Sequence, residues 1–307
     1  MRKEEVKVNT AKRLLSRGAK RNIFVVLMLI IPVVHFIIFW GVVNFNSILL
    51  AFQRLDINTG KNVFTFDHFS ALQTYWKIGD LKTPFLNTLL TFGFLTVFLL
   101  PWGFFVTYFL YKKIRLSGFW RMMLFLPTLL PAVAMTSIFV YIVNAQGPAG
   151  IIYGFLSGNQ SWSLMNEPKT ARWMVLLYMF WTGFGGSFIL FSGAMSRISK
   201  EVVESAYLDG ASMGTELFRI TIPLCWPTIS MLLLLNLAAT FTASGPILLL
   251  TRGQAETSTV AYWIFSGTMS NWLNQPAALG LICTAVMFPI ILLARWGLGK
   301  IYADVEF

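Results

Sequence analysis

The sequence predicts an all-α integral membrane protein with about six transmembrane helices and both termini on the cytoplasmic side. Two observations carry that expectation: where charge is missing, and where basic charge collects. Only 12% of the 307 residues are charged and 56% are hydrophobic, whereas soluble domains average roughly 25% charged residues. No Asp, Glu, Lys or Arg occurs in 23–51, 83–111, 122–160, 173–196, 220–251 or 257–294. A bilayer core takes about 20 predominantly apolar residues in helical form, so each of these windows can supply one crossing.

The basic residues fix an orientation. Of the 24 Lys and Arg, 17 fall before the first window, between the second and third, between the fourth and fifth, and after the sixth, and 7 fall in the alternate segments. The excess of Lys and Arg on cytoplasmic loops places both ends of the chain inside. The net charge of +11 is then a topological signal. A nucleic-acid footprint would need aromatic or polar interleaving on one basic surface.

Residues 1–22 read as a basic cytoplasmic segment. The apolar run after it continues through Phe39 with no small-x-small cleavage site, so a retained span is expected in place of a leader. Residues 23–82 comprise the first span (about 23–51), with Pro32, Gly41 and the titratable His35 inside it, and an external segment with turn formers at Asn58-Thr59-Gly60. His35 is expected to be a structural hydrogen bonder.

Residues 83–300 form the core. Span two covers about 84–111 with a kink at Pro101. Span three covers about 119–144, with Pro127 and Pro131 near its start. An external segment follows at 145–170, with a short interfacial helix at 151–156. Spans four, five and six cover about 172–195, 224–250 and 277–296, with Trp263 and Trp272 placed for an interfacial belt. Residues 301–307 are a cytoplasmic tail. Cys225 and Cys283 lack metal or disulfide spacing and read as small packing residues.

The segment between spans four and five is unusual. It holds Glu201, Glu204, Asp209 and Glu216, four of the thirteen acidic residues. Ser199 is a helix cap with Glu201 in the first turn. Val202, Val203, Ala206 and Tyr207 form an apolar stripe, Gly210 supplies a left-handed break, and Leu217, Phe218 and Ile220 begin a second piece that runs into Pro223. A helix–glycine turn–helix unit with uncovered apolar residues is expected.

Glu204-Ser205-Ala206, Asp209-Gly210-Ala211, Ile220 and Ile222-Pro223 resemble the EAA motif, the cytoplasmic coupling loop of ABC-importer permeases. Ser205 replaces the usual first Ala, and Leu217 stands where an aromatic is common, with Phe218 beside it. Phe125-Leu126-Pro127 with Pro131, Phe139-Val140-Tyr141 with Asn144, Asn87-Thr88, and Gly253 with Thr257 and Thr259 look similar to segments of the carbohydrate-uptake members. The likeness covers about 23–300.

The resemblance implies EAA coupling helices between spans four and five, with Glu204, Ala206, Asp209, Gly210, Ala211 and Phe218 at the contact with an ATPase. It also implies a multi-pass subunit of the cytoplasmic membrane that is not itself an enzyme. Its partners would be a second homologous permease, two ABC ATPase subunits carrying ATP and Mg, and an extracytoplasmic solute-binding protein that delivers a carbohydrate. No cofactor or metal would sit on this chain, and no nucleic-acid partner is implied.

Within the spans, Gly183-Phe-Gly-Gly is not the GxxxxGK[ST] phosphate loop, and Gly183, Gly185, Gly186 and Gly193 are expected to permit close helix packing. The spans hold no charge for a proton relay. Asn236, Thr240 and Ser244 are spaced to share one face of span five, beside Phe241. With Thr284 of span six they are candidates for a sugar path, because amide and hydroxyl groups bind hydroxyls without the cost of buried charge. A non-sugar solute such as a polyamine or phosphate ester is the alternative. A secondary transporter would show inverted repeats and paired broken helices, and a membrane enzyme an acid/base pair; neither pattern is visible.

Overall fold

The structure is a computed structural model that describes residues 17–56, 60–158, 164–242 and 244–301. The basic residues before position 17, the Asn58-Thr59 turn and the tail beyond Ile301 lie outside the described residues. The chain divides into two units, Met1–Thr65 and Phe66–Phe307.

In the first unit, α1 (Arg17–His35), a π-helical stretch (Phe36–Val42) and α2 (Val43–Ala51) follow one another without interruption. Phe24, Ile31, Phe39 and Phe45 are among the many exposed apolar side chains along it. A helix that is apolar all round belongs in lipid or against neighbouring helices. His35, expected as a structural hydrogen bonder, lies exposed, its ring 4.6 Å from that of Phe39. Strands β1 (Gln53–Leu55) and β2 (Asn62–Phe64) pair antiparallel, with Arg54 opposite Val63. This hairpin departs from an all-helical chain. Gly60, at φ 64, lies in the return, and Phe52 stacks on Phe64 at 5.5 Å.

The second unit begins with α3 (Asp67–Ile78), where the sequence signalled no helix. Asp67 in its first turn and Lys77 in its last suit the helix dipole, and Gly79 ends it at φ 93. Helix α4 (Lys82–Gly93), a π-helical stretch (Phe94–Leu99) and α5 (Leu100–Tyr111) make the second crossing. Helices α6 (Ser117–Leu129), α7 (Ala132–Val143) and α8 (Pro148–Ser157) follow. Then come α9 (Pro168–Met195), α10 (Lys200–Leu208), α11 (Met213–Glu216), a π-helical stretch (Leu217–Thr221), α12 (Ile222–Ala239), α13 (Gly245–Leu250), α14 (Val260–Met269) and α15 (Asn274–Ile301). Among the described residues, six helical stretches are long and apolar enough to cross a membrane, from Arg21–Ala51 to Asn274–Ile301; the third is Ala132–Ser157, where about 119–144 was expected with 145–170 external, and the fifth is Met213–Ala239, where about 224–250 was expected.

Prolines set the irregularities. The carbonyls four residues before Pro101 and Pro223, those of Val97 and Arg219, fall inside the two widened turns of this unit, where the bond each proline cannot make is accommodated. Leu130, held extended at ψ 146 by the following Pro131, separates α6 from α7. Span three is therefore broken, where a continuous helix was expected. Span five is broken as well: α12 ends at Ala239, and Gly245-Pro246 start α13 afresh.

Helix α9, about 42 Å long at 1.5 Å per residue, packs against α5, α6 and α12. One core cluster gathers Phe104 and Tyr108 from α5, Phe191 and Met195 from α9, and Leu217, Cys225 and Ile229 from the start of span five. Cys225 is fully buried as expected, and Cys283 is half-buried. A Cβ on Gly183 would lie 2.8 Å from Leu99 Cδ2, and one on Gly185 would overlap Thr128, but Gly186 and Gly193 face open space. The close-packing expectation holds for the first two only. Trp263 is buried, donating from Nε1 to Asp80 Oδ2 at 3.1 Å and packed edge-on to Tyr75 and Trp272.

Candidate functional site

The segment between α9 and α12 folds as a capped double helix. Ser199 accepts at Oγ from Val202 N, and Ser212 from Thr215 N, each opening one helix. Between them Gly210 stands at φ 79. Gly210 N donates to Tyr207 O at 3.0 Å and Ala211 N to Ala206 O at 2.9 Å, the paired bonds of a Schellman turn. A β-carbon at Gly210 would touch nothing, so the glycine is required by its backbone angle and not by crowding.

The apolar residues of this unit divide: Val202, Tyr207 and Phe218 are uncovered as the pattern suggested, but Leu217 is buried and Val203 packs against the core cluster. Leu208 is 89% and Phe218 59% exposed, with Val202, Tyr207 and Met213 also exposed. Glu204 and Asp209 are exposed beside them, and Ala206 and Ala211 half-buried. All six expected contact residues thus belong to one protruding unit and its root. Phe218 sits at that root, its ring 6.4 Å from Phe105.

Beneath the unit lies a polar cluster that sequence reasoning missed. Glu216, 2% exposed, forms an ion pair with Lys112 just past α5 at 2.5 Å. Tyr207 OH donates to Glu216 Oε2 at 2.6 Å, Lys112 Nζ donates to Tyr207 OH at 3.2 Å, and Tyr108 OH reaches Met213 O at 3.5 Å. Burial alone would lower the Lys112 pKa; hydrogen bonds to Glu216 and Tyr207 and the charge of Glu216 outweigh it and raise the value. Lys112 had stood only for basic topology and Glu216 only for acidic composition. Nothing in one sequence pairs residues 104 positions apart.

At the other end of span two, residues noted separately in the sequence come together. Asn87 Nδ2 donates to Glu256 O at 2.6 Å and Ser258 O at 2.8 Å, while Thr88 Oγ1 accepts from Val260 N at 3.0 Å. The loop they hold turns through left-handed angles at Arg252, Gly253, Ala255 and Glu256, and Thr251 and Thr257 bond within it. Gly253, at φ 72, has Tyr262 Cε1 2.4 Å from where a β-carbon would stand.

The expected sugar-path residues are dispersed. Because α12 ends at Ala239, Asn236 lies in the helix, Thr240 caps its end and Ser244 precedes α13; the three do not share a continuous helical face. Phe241 stacks near Phe85 at 6.4 Å and lines a cavity of about 570 Å³ with Phe69, Trp76, Leu279 and Cys283. Thr284 is exposed and donates to its own helix at Gly280 O.

A second cavity, of about 290 Å³, lies where both broken spans meet α9. Thr128, Leu130, Tyr178, Thr182, Gly245 and Pro246 are among the residues that line it, and Tyr178 OH is 3.0 Å from Thr136 Oγ1. Irregular backbone at membrane depth is tolerated only where protein buries it or it lines a cavity.

Six long apolar helices and these interrupted spans define a multi-pass membrane protein. The profile of the binding-protein-dependent transport system inner membrane component family matches residues 99–305, and the chain belongs to that family. It is 28% identical over 182 residues to the probable ABC transporter permease protein MG188 of Mycoplasma genitalium, covering 59% of this chain and 52% of that protein. It is 27% identical over 247 residues to the multiple sugar-binding transport system permease protein MsmF of Streptococcus mutans, covering 78% and 80%. It spans about half the length of MG188 and four-fifths of MsmF. The fold is also that of a chain of a bacterial alginate ABC transporter, solved with an alginate pentasaccharide-bound periplasmic protein, with TM-score 0.80, 21% identity, and 94% and 99% coverage.

Proposed function

We propose that this chain is a permease subunit of an ATP-driven importer that carries a carbohydrate, an oligosaccharide, across the cytoplasmic membrane. The observation that carries the reading is the capped helix–Gly210–helix unit, with its apolar tip uncovered, in a chain of the transport family. On this reading the unit lies on the cytoplasmic side, as the basic residues around it suggest, and docks on an ATPase subunit that binds ATP and Mg. Leu208 and Val202 fill an apolar cleft there, Ala206 and Ala211 allow close approach, and Glu204 and Asp209 meet basic groups. The remaining partners are a second ATPase, a homologous permease and an extracytoplasmic binding protein.

The solute passes beside the two broken spans. Hydroxyls of Thr128, Tyr178 and Thr182 at the smaller cavity serve a sugar as Asn236, Thr240, Ser244 and Thr284 would, and Phe241 offers an apolar platform in the larger one. The sugar class is supported by the naming of MsmF as a multiple-sugar permease protein.

The test is co-purification of the ATPase with the complete complex, together with uptake of maltotriose and of an alginate pentasaccharide into reconstituted vesicles. Gly210→Val, which places a β-branched residue at φ 79 at a cost of about 1–2 kcal/mol, and Glu204→Lys are expected to lower ATPase association or uptake per ATP hydrolysed. Normal values for both would remove the docking assignment. Loss of uptake in Asn236→Leu or Thr182→Val with assembly intact is the result expected for the solute path.

A further inference from the structure

The 199–222 unit is joined covalently at both ends, to α9 through residues 196–199 and to α12 through the widened turn Leu217–Thr221, which leads into spans four and five. Span two has no covalent link to it; Leu217 and Phe218 pack on α5, and the polar attachment to span two is the cluster at Glu216. Glu216 belongs to the second helix of the unit, Tyr207 to the first, and Lys112 to the end of the second crossing. The two charged side chains are 18% and 3% exposed, so water screens them little. Lys112, Tyr207 and Glu216 thus come from three separate segments of the chain.

We propose that Lys112, Glu216 and Tyr207 form a clamp that transmits movement of the 199–222 unit to span two. The proposal rests on the reading of that unit as the ATPase-docking element. Apolar surfaces slide over one another at little cost, but a low-dielectric ion pair resists separation steeply over the first few ångströms. A push on the tip would therefore travel into α5 as well as α12. Helix α5 is built to receive it: Phe104 meets Phe191 of α9 edge-on at 5.2 Å, and Tyr108 and Met195 lie in the same cluster. Lys112 and Glu216 are positioning residues. They touch neither solute nor nucleotide, and they set how far the crossing follows the tip.

The test reads span two at its far end, away from any loosening at the clamp. Leu86, exposed on α4, is changed to cysteine, with Cys283→Ser to lower the background. The full complex, with its partner permease and ATPase subunits, is reconstituted in lipid vesicles. The rate of reaction with N-ethylmaleimide is measured with and without Mg-ATP and vanadate.

The parent protein is expected to change its rate on addition of nucleotide. In Lys112→Met the ATPase still co-purifies and the nucleotide-dependent change falls about fivefold or more. Lys112→Arg and the exchange Lys112→Glu/Glu216→Lys restore most of it. If Lys112→Met does not yield a folded complex, Glu216→Gln, which keeps a hydrogen-bonding group at the same place, is read instead and is expected to reduce the change.

A full nucleotide response in Lys112→Met or Glu216→Gln overturns the proposal, and so does a parent rate indifferent to nucleotide. Loss of ATPase association in Lys112→Met also overturns it, since the pair would then serve docking. The docking reading fails separately, by unchanged ATPase association in Glu204→Lys and Gly210→Val.

Discussion

The two ends of span two are held in different ways. At the α4 end, Asn87 and Thr88 use neutral amide and hydroxyl groups to bind backbone atoms of the 251–260 loop. At the α5 end, a charged pair, Lys112 and Glu216, joins side chain to side chain. The neutral attachment requires the loop to present its carbonyls in one conformation, so its weak point is loop shape. The charged attachment requires two particular side chains, so its weak point is the loss of either. A helix fastened by shape at one end and by charge at the other can be perturbed at each end separately.

The most decisive prediction is whether these ends face opposite sides of the membrane. In intact cells, an impermeant thiol reagent is expected to label Gln254→Cys, beside the neutral attachment. It should reach Arg115→Cys, beside the charged one, only after permeabilisation. External labelling at Arg115 would reverse the topology and remove the docking reading with it.

Next in size is Gly253→Val. It combines a left-handed backbone with a β-carbon that would overlap the Tyr262 ring, and is expected to cost about 2–5 kcal/mol as the sum of strain and overpacking. Thermal inactivation of the detergent-solubilised complex measures it. A midpoint equal to that of the parent would show that the loop can present its carbonyls in another shape.

Lys112→Met should follow, at about 3 kcal/mol, because Glu216 is left as a buried, unbalanced carboxylate. The double change Lys112→Met/Glu216→Leu should recover most of that, since an apolar pair of similar volume leaves no charge behind. Failure of the double to recover would assign the loss to packing. The raised Lys112 pKa means that the pair's contribution is complete below the unfolded lysine value of about 10.4. It is lost only as pH rises through the folded value, so from pH 6 to 9 the lysine adds no pH dependence to stability.

The smallest effects belong to the neutral end. Asn87→Leu leaves two backbone carbonyls without their donor and should cost about 2 kcal/mol, and Thr88→Val about 1 kcal/mol. Equal losses for Asn87→Leu and Lys112→Met in the same inactivation assay would erase the distinction between the two ends.

Much of the fold could be read before any coordinates. The uncharged windows located the first, second, fourth and sixth crossings because a bilayer excludes charge over a fixed thickness, and that constraint is local in sequence; the third and fifth lie displaced along the chain from where they were expected. The 199–222 unit was equally legible: Ser199, Gly210 and Pro223 are local signals for a cap, a left-handed turn and a helix start, and each is found in that role. Helix α3 and the 53–64 hairpin were not: the hairpin strands are three residues each, and the helical spacing of Phe69, Leu72, Tyr75 and Trp76 in α3 was passed over as scattered aromatics.

The candidate site divides along the same line. Exposure of Val202, Tyr207 and Phe218 followed from the pattern of apolar residues around one turn; that of Leu208, the most exposed, was in no stripe. The stripe through Asn236, Thr240 and Ser244 does not hold because periodicity was extended past Ala239, where α12 ends, to Ser244, which precedes the restart at Gly245. The Thr128–Tyr178–Thr182 cavity was invisible because its lining comes from spans three, four and five, each unremarkable alone.

What the sequence determined by itself was therefore whatever depends on neighbours along the chain: the crossings, the caps and the Gly210 turn. Tertiary structure alone decided which distant polar groups meet. Lys112 and Glu216 read as a topological charge and a loop charge until α5 and α11 bring them within 2.5 Å. Asn87 and Gly253 read as unrelated signs until span two and the loop close on each other. Pairing of this kind depends on how whole helices pack, and helix packing is set by surfaces assembled from many segments, which no local pattern encodes.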